Sequence, residues 1–332
     1  MSIPGLDLSK IPLLVNPNGS PPDFENGTSL SPLIYGVSIP LITISFLFVG
    51  MRMYTNFKMY SGLRVDDYFC ALAWILTTVH GVVIMTYETA RHAWDVPISA
   101  INAVWLKRAA VLCMIYGPAM WCAKTSIFAM YLRLFGNITW MRCCCWFGII
   151  FFGFVYWSNI PVYAIYTFPH KGESWDFTFA ERMQKGVQIP TIVTASFNVA
   201  GDVYCVMLPM PVVFGLNLGW RKKLGLALVF LAGVVGLVSN ALALVYRIYM
   251  RQQRDADSTW YSSLALLTVY VSPTPFFTFS PSSRALTTPS LFPLIRLCLK
   301  PRPFYLRSKP SFPQRHQPSE PVLQRRGRKK CI

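Results

Sequence analysis

The hydrophobic positions of this chain fall into long uninterrupted runs separated by short polar stretches. Six runs are long enough to cross a hydrocarbon core of about 30 Å at about 1.5 Å of helical rise per residue. They cover residues 33–53, 68–87, 109–131, 143–168, 189–214 and 224–246. Because the connections are short, successive helices are expected to run up and down. The pattern predicts an all-α membrane protein.

A seventh apolar segment begins at Ser258 and is weaker than the others. It reads STWYSSLALLTVYV and ends at Val271, where Ser272, Pro273 and Pro275 follow. Proline is tolerated in a membrane helix only where neighbouring groups satisfy the freed backbone atoms. We therefore predict a seven-transmembrane-helix bundle whose last helix is truncated or defective.

The same pattern divides the chain into three regions. Residues 1–32 are charged and rich in proline, and they are predicted to be a disordered exoplasmic N-terminus. Residues 33–271 form the transmembrane domain. Residues 272–332 are rich in proline, serine and arginine and cannot bury a core, so they are predicted to be a disordered basic tail. The abrupt change at Ser272 suggests a retained intron or a frameshifted gene model.

Composition supports the membrane class and argues against a nucleic-acid partner. The chain is 53% hydrophobic and 14% charged, whereas a soluble domain averages about 25% charged residues. Its net charge is +17, but residues 272–332 hold twelve Lys and Arg against one acid, Glu320. The positive charge is therefore concentrated in the tail, and the lipid bilayer is the predicted partner.

No catalytic or metal-binding pattern is present in the sequence. The nine cysteines lack the paired spacing of metal sites, and the four histidines form no HExxH-like motif. A Cys/His or Ser/His/Asp set cannot be assembled either. We therefore expect no enzyme activity, no metal and no cofactor.

Two charged residues stand deep inside apolar runs, Lys124 in the third and Asp202 in the fifth. A charge near a bilayer centre costs about 2.5–3.5 kcal/mol on insertion scales, so each needs a partner or a function. Side chains tilt toward a helix N-terminus, which brings Lys124 toward the depth of Asp202. In the alternative, Lys124 snorkels to the surface while Asp202 is protonated or bonded to Asn198. The pair is a candidate for structure, for ligand binding or for a switch.

For several other polar residues, both a structural role and a functional role are possible. Asp66 and Asp67 open the second segment, where carboxylates cap a helix N-terminus, although they could also contact an intracellular partner. His80 is expected to be a buried, hydrogen-bonded histidine rather than a proton relay. His92 and Trp94 lie just beyond the second segment and could line an exoplasmic mouth, but an interfacial aromatic belt explains Trp94 equally well.

Several strings together resemble the fungal rhodopsin-domain integral membrane protein family. They are GLRVDDYFCALAW, ARHAWDV, AKTSIFAMYLRLF, FNVAGDVYCVMLPMPVV and WRKKLGLALVFLAG. The resemblance covers about residues 33–271 and implies seven helices and kinship with receptors of pathogenesis-related surface sensing. The positions that match the family's motifs are Asp66, Asp67, His92, Lys124, Arg133, Asp202 and Pro209.

The chain also departs from that family. The loop after the fourth segment, PHKGESWDFTFAERMQKG, holds no cysteine, so no disulfide can staple it. No lysine occurs between Ser258 and Leu299 that could carry retinal.

The resemblance implies a multi-pass, receptor-like sensor of an unknown ligand with an intracellular signalling partner. The plasma membrane is the location expected for the family, and a failed last helix would cause retention in the endoplasmic reticulum. Two alternatives remain at this stage: a transporter or proton-coupled carrier that uses Asp202, and a non-functional truncated paralogue.

The orientation rests on the resemblance and on glycosylation sequons. Sequons at Asn18 and Asn26 precede the first segment, which favours an exoplasmic N-terminus. The loops that are then cytosolic hold eight Lys and Arg, Arg52 included, against ten on the other side, Arg247 included. The positive-inside count alone therefore does not favour this orientation.

This topology predicts the position of two loops. Reporter fusions placed after Arg64 and after Lys223 should both report the cytosol, because both points follow an odd number of crossings. An exoplasmic signal at either point would contradict an exoplasmic N-terminus.

Overall fold

Helices make up nearly all the regular structure of the chain. The computed structural model describes residues 7, 9–17, 19–60, 63–87, 89–175, 178–183, 186–215, 220–252 and 257–271, and over these ranges it contains no strand beyond isolated bridges. The long helices are α1 (Ser31–Tyr60), α2 (Val65–Met85), α3 (Ala103–Phe135), α4 (Thr139–Thr167), α5 (Gln188–Met207), α6 (Trp220–Gln252) and α7 (Ser258–Val271). Shorter turns are Ala93–Asp95, Ile98–Ala100, the π-helical Thr178–Met183 and the helix Met210–Gly215.

Six helices in the described ranges, α1 to α6, are long and apolar enough to cross a membrane. The described part of α7 has 14 residues, fewer than the roughly 20 that a span usually needs. The chain is therefore an all-helical, multi-pass membrane protein. The predicted defect of the last helix and the predicted basic tail begin at residue 272, outside the described residues.

Three helices, α1, α3 and α6, extend past both ends of the hydrophobic runs that predicted them. A run measures the hydrocarbon core, whereas a helix continues into the polar interface wherever its backbone stays bonded. The fifth run differs in another way, because α5 ends at Met207 and a short helix restarts at Met210. Pro209 lies between them, and proline cannot donate the backbone bond that would continue α5.

The helices alternate in direction, as the short connections predicted. At one end of the bundle, here called the N-terminal end, Leu30 at the start of α1 donates a backbone bond of 2.8 Å to Ala90, just after α2. At the opposite end, the hydroxyl of Tyr204 near the end of α5 donates to the carbonyl of Cys144 near the start of α4, at 2.9 Å.

The described residues before α1 form backbone and side-chain bonds with the α2–α3 connection. The backbone N–H of Leu13 donates to Val96 at 2.9 Å, and Ile98 donates to Ile11 at 3.0 Å. The guanidinium of Arg91 also donates to the carbonyl of Phe24 at 2.7 Å. Composition showed no apolar core here, but main-chain bonds to the α2–α3 connection hold the described part of the segment in place.

Small residues let the helices around α3 approach closely. α3 packs against α2, α4 and α5 and is the most buried of the six candidate spans. A Cβ atom added at Gly117 of α3 would lie 2.5 Å from the carbonyl oxygen of Tyr156 on α4. Close approach at small residues drives helix association where lipid tails remove the usual hydrophobic contrast.

Gly117→Ala should therefore destabilise the bundle. The backbone of α4 cannot yield as a flexible side chain could, so we expect a loss of about 1–3 kcal/mol, the usual cost of overpacking. Thermal unfolding in detergent would measure it. Gly50→Ala is the matched control, because a Cβ at Gly50 meets nothing within 4 Å. Equal melting temperatures for the two variants would contradict the proposed close contact.

Candidate functional site

The two deep charges meet in the middle of the bundle. Lys124 on α3 and Asp202 on α5 form a direct ion pair, and their side chains are only 5% and 3% exposed. Lys124 also donates to the carbonyl oxygen of Asn198 at 3.3 Å. The amide of Asn240 on α6 donates to the second carboxylate oxygen of Asp202. Both oxygens of the buried carboxylate are thus satisfied, which offsets part of the desolvation cost.

The pair continues into a wider set of hydrogen bonds through Asn198. Its side-chain oxygen accepts from the hydroxyl of Tyr156 on α4 at 2.7 Å. Its amide donates to the hydroxyl of Tyr116 on α3 at 3.1 Å. We call Lys124, Asp202, Asn240, Asn198, Tyr156 and Tyr116 the central polar network. It links α3, α4, α5 and α6.

Local sequence explains why Lys124 and Asp202 meet. The preceding residue on α5, Gly201, has no side chain, and a Cβ there would lie 3.1 Å from the amino nitrogen of Lys124. The alternatives of a snorkelling Lys124 and an Asp202 bonded to the side chain of Asn198 are not what the structure has. Lys124 is buried, and the Asn198 side chain bonds the two tyrosines instead.

A second group of charges lies at the opposite end of the bundle, and we call it the end cluster. Arg52 on α1 donates to Asp66 at 2.8 Å and to Asp67 at 2.9 Å. Asn56 donates to Asp67 at 2.8 Å. Arg133 near the end of α3 donates to Asp66 at 3.3 Å. The end cluster thus joins α1, α2 and α3.

Capping explains only part of the acidic pair. The backbone N–H of Arg64 donates to the Asp67 carboxylate at 3.2 Å, as a helix cap should. Both carboxylates also neutralise arginine side chains. One of these is Arg52, which is buried within α1. The loop charge count had treated Arg52 as a surface residue. The spacing of Arg52 and Asn56, one turn apart, was the available signal that one face of α1 meets Asp66 and Asp67.

His92 lies at the N-terminal end, stacked between two indole rings. Its ring centroid is 4.6 Å from that of Trp94 and 4.0 Å from that of Trp260, with interplanar angles of 5° and 7°. Its Nδ1 contacts the carboxylate of Asp257, which also accepts from the backbone of Ala93 at 2.8 Å. His92 therefore fastens the α2–α3 connection to the start of α7. Sequence reasoning missed Asp257 and Trp260 because they lie far away along the chain.

The sequence did not predict that Arg247 lies within the bundle. Arg247 lies inside α6, although the apolar run ended one residue before it and its charge was assigned to a loop. It donates to the carbonyl of Thr191 on α5 at 3.1 Å. His80 is buried as expected, but its ring has no hydrogen-bond partner among the described residues and lies 6.3 Å from the ring of Tyr116.

The described cysteines take no part in covalent cross-links. All seven of them, Cys70, Cys113, Cys122, Cys143, Cys144, Cys145 and Cys205, are free. Polar contacts and packing therefore hold the described helices together.

The Lys124–Asp202 pair gives a stability prediction. Asp202→Ala leaves a buried ammonium and Lys124→Ala a buried carboxylate, so each single variant should lose more stability than the double variant. Breaking a buried pair costs about 3–5 kcal/mol in soluble proteins, and polar contacts in membranes run nearer 1 kcal/mol. Thermal unfolding in detergent measures all three variants, with the exposed Lys171→Ala as control. Additive losses would exclude a direct interaction.

Comparisons with known proteins place these contacts in a family. The sequence model described as the fungal rhodopsin domain matches residues 51–272, which include α2 to α7 and the end of α1 that carries Arg52. A SAT4 family membrane protein of Emericella nidulans is 28% identical over 157 residues, which cover 46% of this chain and 40% of that protein. Fugralins biosynthesis cluster protein 2 of Gibberella zeae is 22% identical over 260 residues, covering 74% of this chain and 63% of that protein.

The matches to both relatives span less than two thirds of the relatives' own lengths. No solved structure matches the chain. The family match includes every member of the central polar network and of the end cluster. This chain belongs to the fungal rhodopsin domain family of multi-pass membrane proteins.

Proposed function

We propose that the protein is a seven-helix, receptor-like sensor of the plasma membrane whose N-terminal end faces outside. In this proposal the opposite end of the bundle meets an intracellular signalling partner. One observation carries the proposal: at that opposite end, the carboxylate of Asp66 is shared by arginines from two other helices.

The two arginine contacts of Asp66 are unequal. The contact with Arg52 is 2.8 Å long and joins side chains that are 3% and 6% exposed. The contact with Arg133 is 3.3 Å long, and the Arg133 side chain is 14% exposed. A shift of α3 relative to α2 would break the Arg133 contact first and leave the Arg52 contact intact. Such a contact can hold one of two helix arrangements.

α3 connects this contact with the rest of the bundle. It carries Tyr116 and Lys124, members of the central polar network, as well as Arg133. A ligand bound near Tyr116 could therefore act on Arg133 through one continuous helix. Freed from Asp66, Arg133 would present a positive charge to a partner at the cytosolic surface.

The geometry supports this role better than proton-coupled transport. Both oxygens of Asp202 are taken, by Lys124 and by Asn240. A carboxylate that carries protons must exchange its partners for water, whereas one held by two donors is suited to joining helices. We therefore propose that the protein is not a proton-coupled carrier.

The Arg133 contact gives the test of the sensor. A partly exposed ion pair is worth up to about 1 kcal/mol. Arg133→Ala should therefore shift the resting equilibrium roughly two- to fivefold toward the active arrangement. We expect higher ligand-free nucleotide exchange on heterotrimeric G proteins in membranes that carry the variant, and faster hydrogen exchange over residues 132–139. Arg142→Ala, an exposed arginine at the same end, is the matched control.

Two outcomes would contradict the sensor. In the first, Arg133→Ala and Arg142→Ala behave alike in both measurements. In the second, proteoliposomes show a proton-coupled flux that Asp202→Asn abolishes, which would establish the carrier instead.

A further inference from the structure

Arg247 is a cation inside the bundle without a carboxylate partner among the described residues. It stands five residues before the end of α6, so by helical rise it lies about 7.5 Å below that end. Its guanidinium donates to the carbonyl of Thr191 and lies 5.9 Å from the ring centroid of Tyr116. It therefore points into the bundle, against α5 and α3.

A half-buried guanidinium in this position is costly. Charged side chains within membrane helices pair with one another or line a site for a ligand or an ion. The acid of the central polar network, Asp202, is already held by Lys124 and Asn240. One backbone carbonyl and the side chain of Tyr116 still leave N–H donors of Arg247 for another acceptor.

Two further buried groups near Arg247 lack partners among the described residues. His80 on α2 is 5% exposed and forms no hydrogen bond there, and its ring centroid lies 6.3 Å from that of Tyr116, the ring that Arg247 also contacts. The amide nitrogen of Asn159 on α4 is buried and also without a hydrogen-bond partner. Leaving a buried donor unbonded costs about 1–3 kcal/mol. The Asn159 amide, together with the remaining donors of Arg247 and His80, therefore favours an acceptor in this region.

Neighbouring contacts place Asn159 in the same region as Arg247. Its side-chain oxygen accepts from Thr194 at 2.7 Å, one helical turn along α5 from Thr191. One turn along α4, the hydroxyl of Tyr163 contacts the Thr191 hydroxyl at 3.1 Å. The N-terminal half of the bundle thus brings together hydrogen-bond donors and aromatic rings from five helices, α2 to α6.

We propose that this region is a binding site for a small organic carboxylate. The planar fork of Arg247 matches a carboxylate and binds both of its oxygens. The imidazole of His80 and the amide of Asn159 supply further donors. The rings of Tyr116 and Tyr163 cover the apolar part of the ligand, as aromatic side chains do in small-molecule sites.

A carboxylate fits better than a phosphate. It carries one charge and therefore loses less hydration on entering a site inside the membrane. One guanidinium neutralises it fully. The site rests on these contacts alone and does not require that the protein signals, so a binding measurement tests it separately from the sensor.

The experiment uses the full chain, purified in nanodiscs at neutral pH, and three pairs of probes. Each pair is a carboxylate and its uncharged amide: acetate and acetamide, benzoate and benzamide, decanoate and decanamide. Equilibrium binding of the labelled compounds should show at least one carboxylate that binds tenfold or more tightly than its amide. Inorganic phosphate should bind more weakly than that carboxylate.

Variants then locate the site. Arg247→Gln should weaken carboxylate binding at least tenfold, and His80→Gln about threefold or more. Arg251→Gln removes an exposed arginine one turn further along the same helix and should leave binding unchanged. If Arg247→Gln fails to fold, Arg247→Lys keeps the charge but loses the fork, and it should still lower affinity for the carboxylate.

Three results would overturn the proposal. In the first, no carboxylate binds more tightly than its amide. In the second, carboxylate binding survives both Arg247 substitutions in folded protein. In the third, phosphate binds more tightly than every carboxylate. The last result would assign the site to a different anion.

Discussion

The ion pair between Lys124 and Asp202 is the contact on which the arrangement of α3, α5 and α6 depends. Neither charge can stay in the low-dielectric interior without the other, so the two helices that carry them are held in one register. Asn240 and Asn198 complete the shells of the two charged groups and bring α6 and α4 into the same arrangement. Non-polar packing alone would permit these helices to slide, because lipid tails compete equally well for apolar surface.

This pair also separates what the sequence could predict from what it could not. Both charges stand inside apolar runs, and the tilt of side chains toward the helix N-terminus brings them to a similar depth. The sequence pattern was therefore enough to predict that Lys124 and Asp202 lie close together. Asn240 gave no such signal, because an isolated asparagine in a membrane helix has many possible partners and no charge that demands one.

Arg52, Arg247 and Asp257 were missed for a different reason. Each lies at or beyond the boundary of an apolar run, where a charge is ordinarily explained by water or by lipid headgroups. The helices extend past those boundaries, so Arg52 and Arg247 lie within them. Hydropathy reports how long the membrane-crossing part is, but not how far a helix continues or which of its end residues turn inward.

The described part of α7 contacts its neighbours at both of its ends. At one end Asp257 and Trp260 hold it to His92, and at the other the ring of Tyr270 lies so close to Gly81 that a Cβ there would be 2.6 Å from it. A helix of 14 residues is a rod about 21 Å long. Tilting such a rod by about 10° at the stack of Trp260 on His92 displaces its far end by roughly 3–4 Å, more than half of one helical turn. Such a tilt would move Tyr270 relative to Gly81, the residue that follows His80.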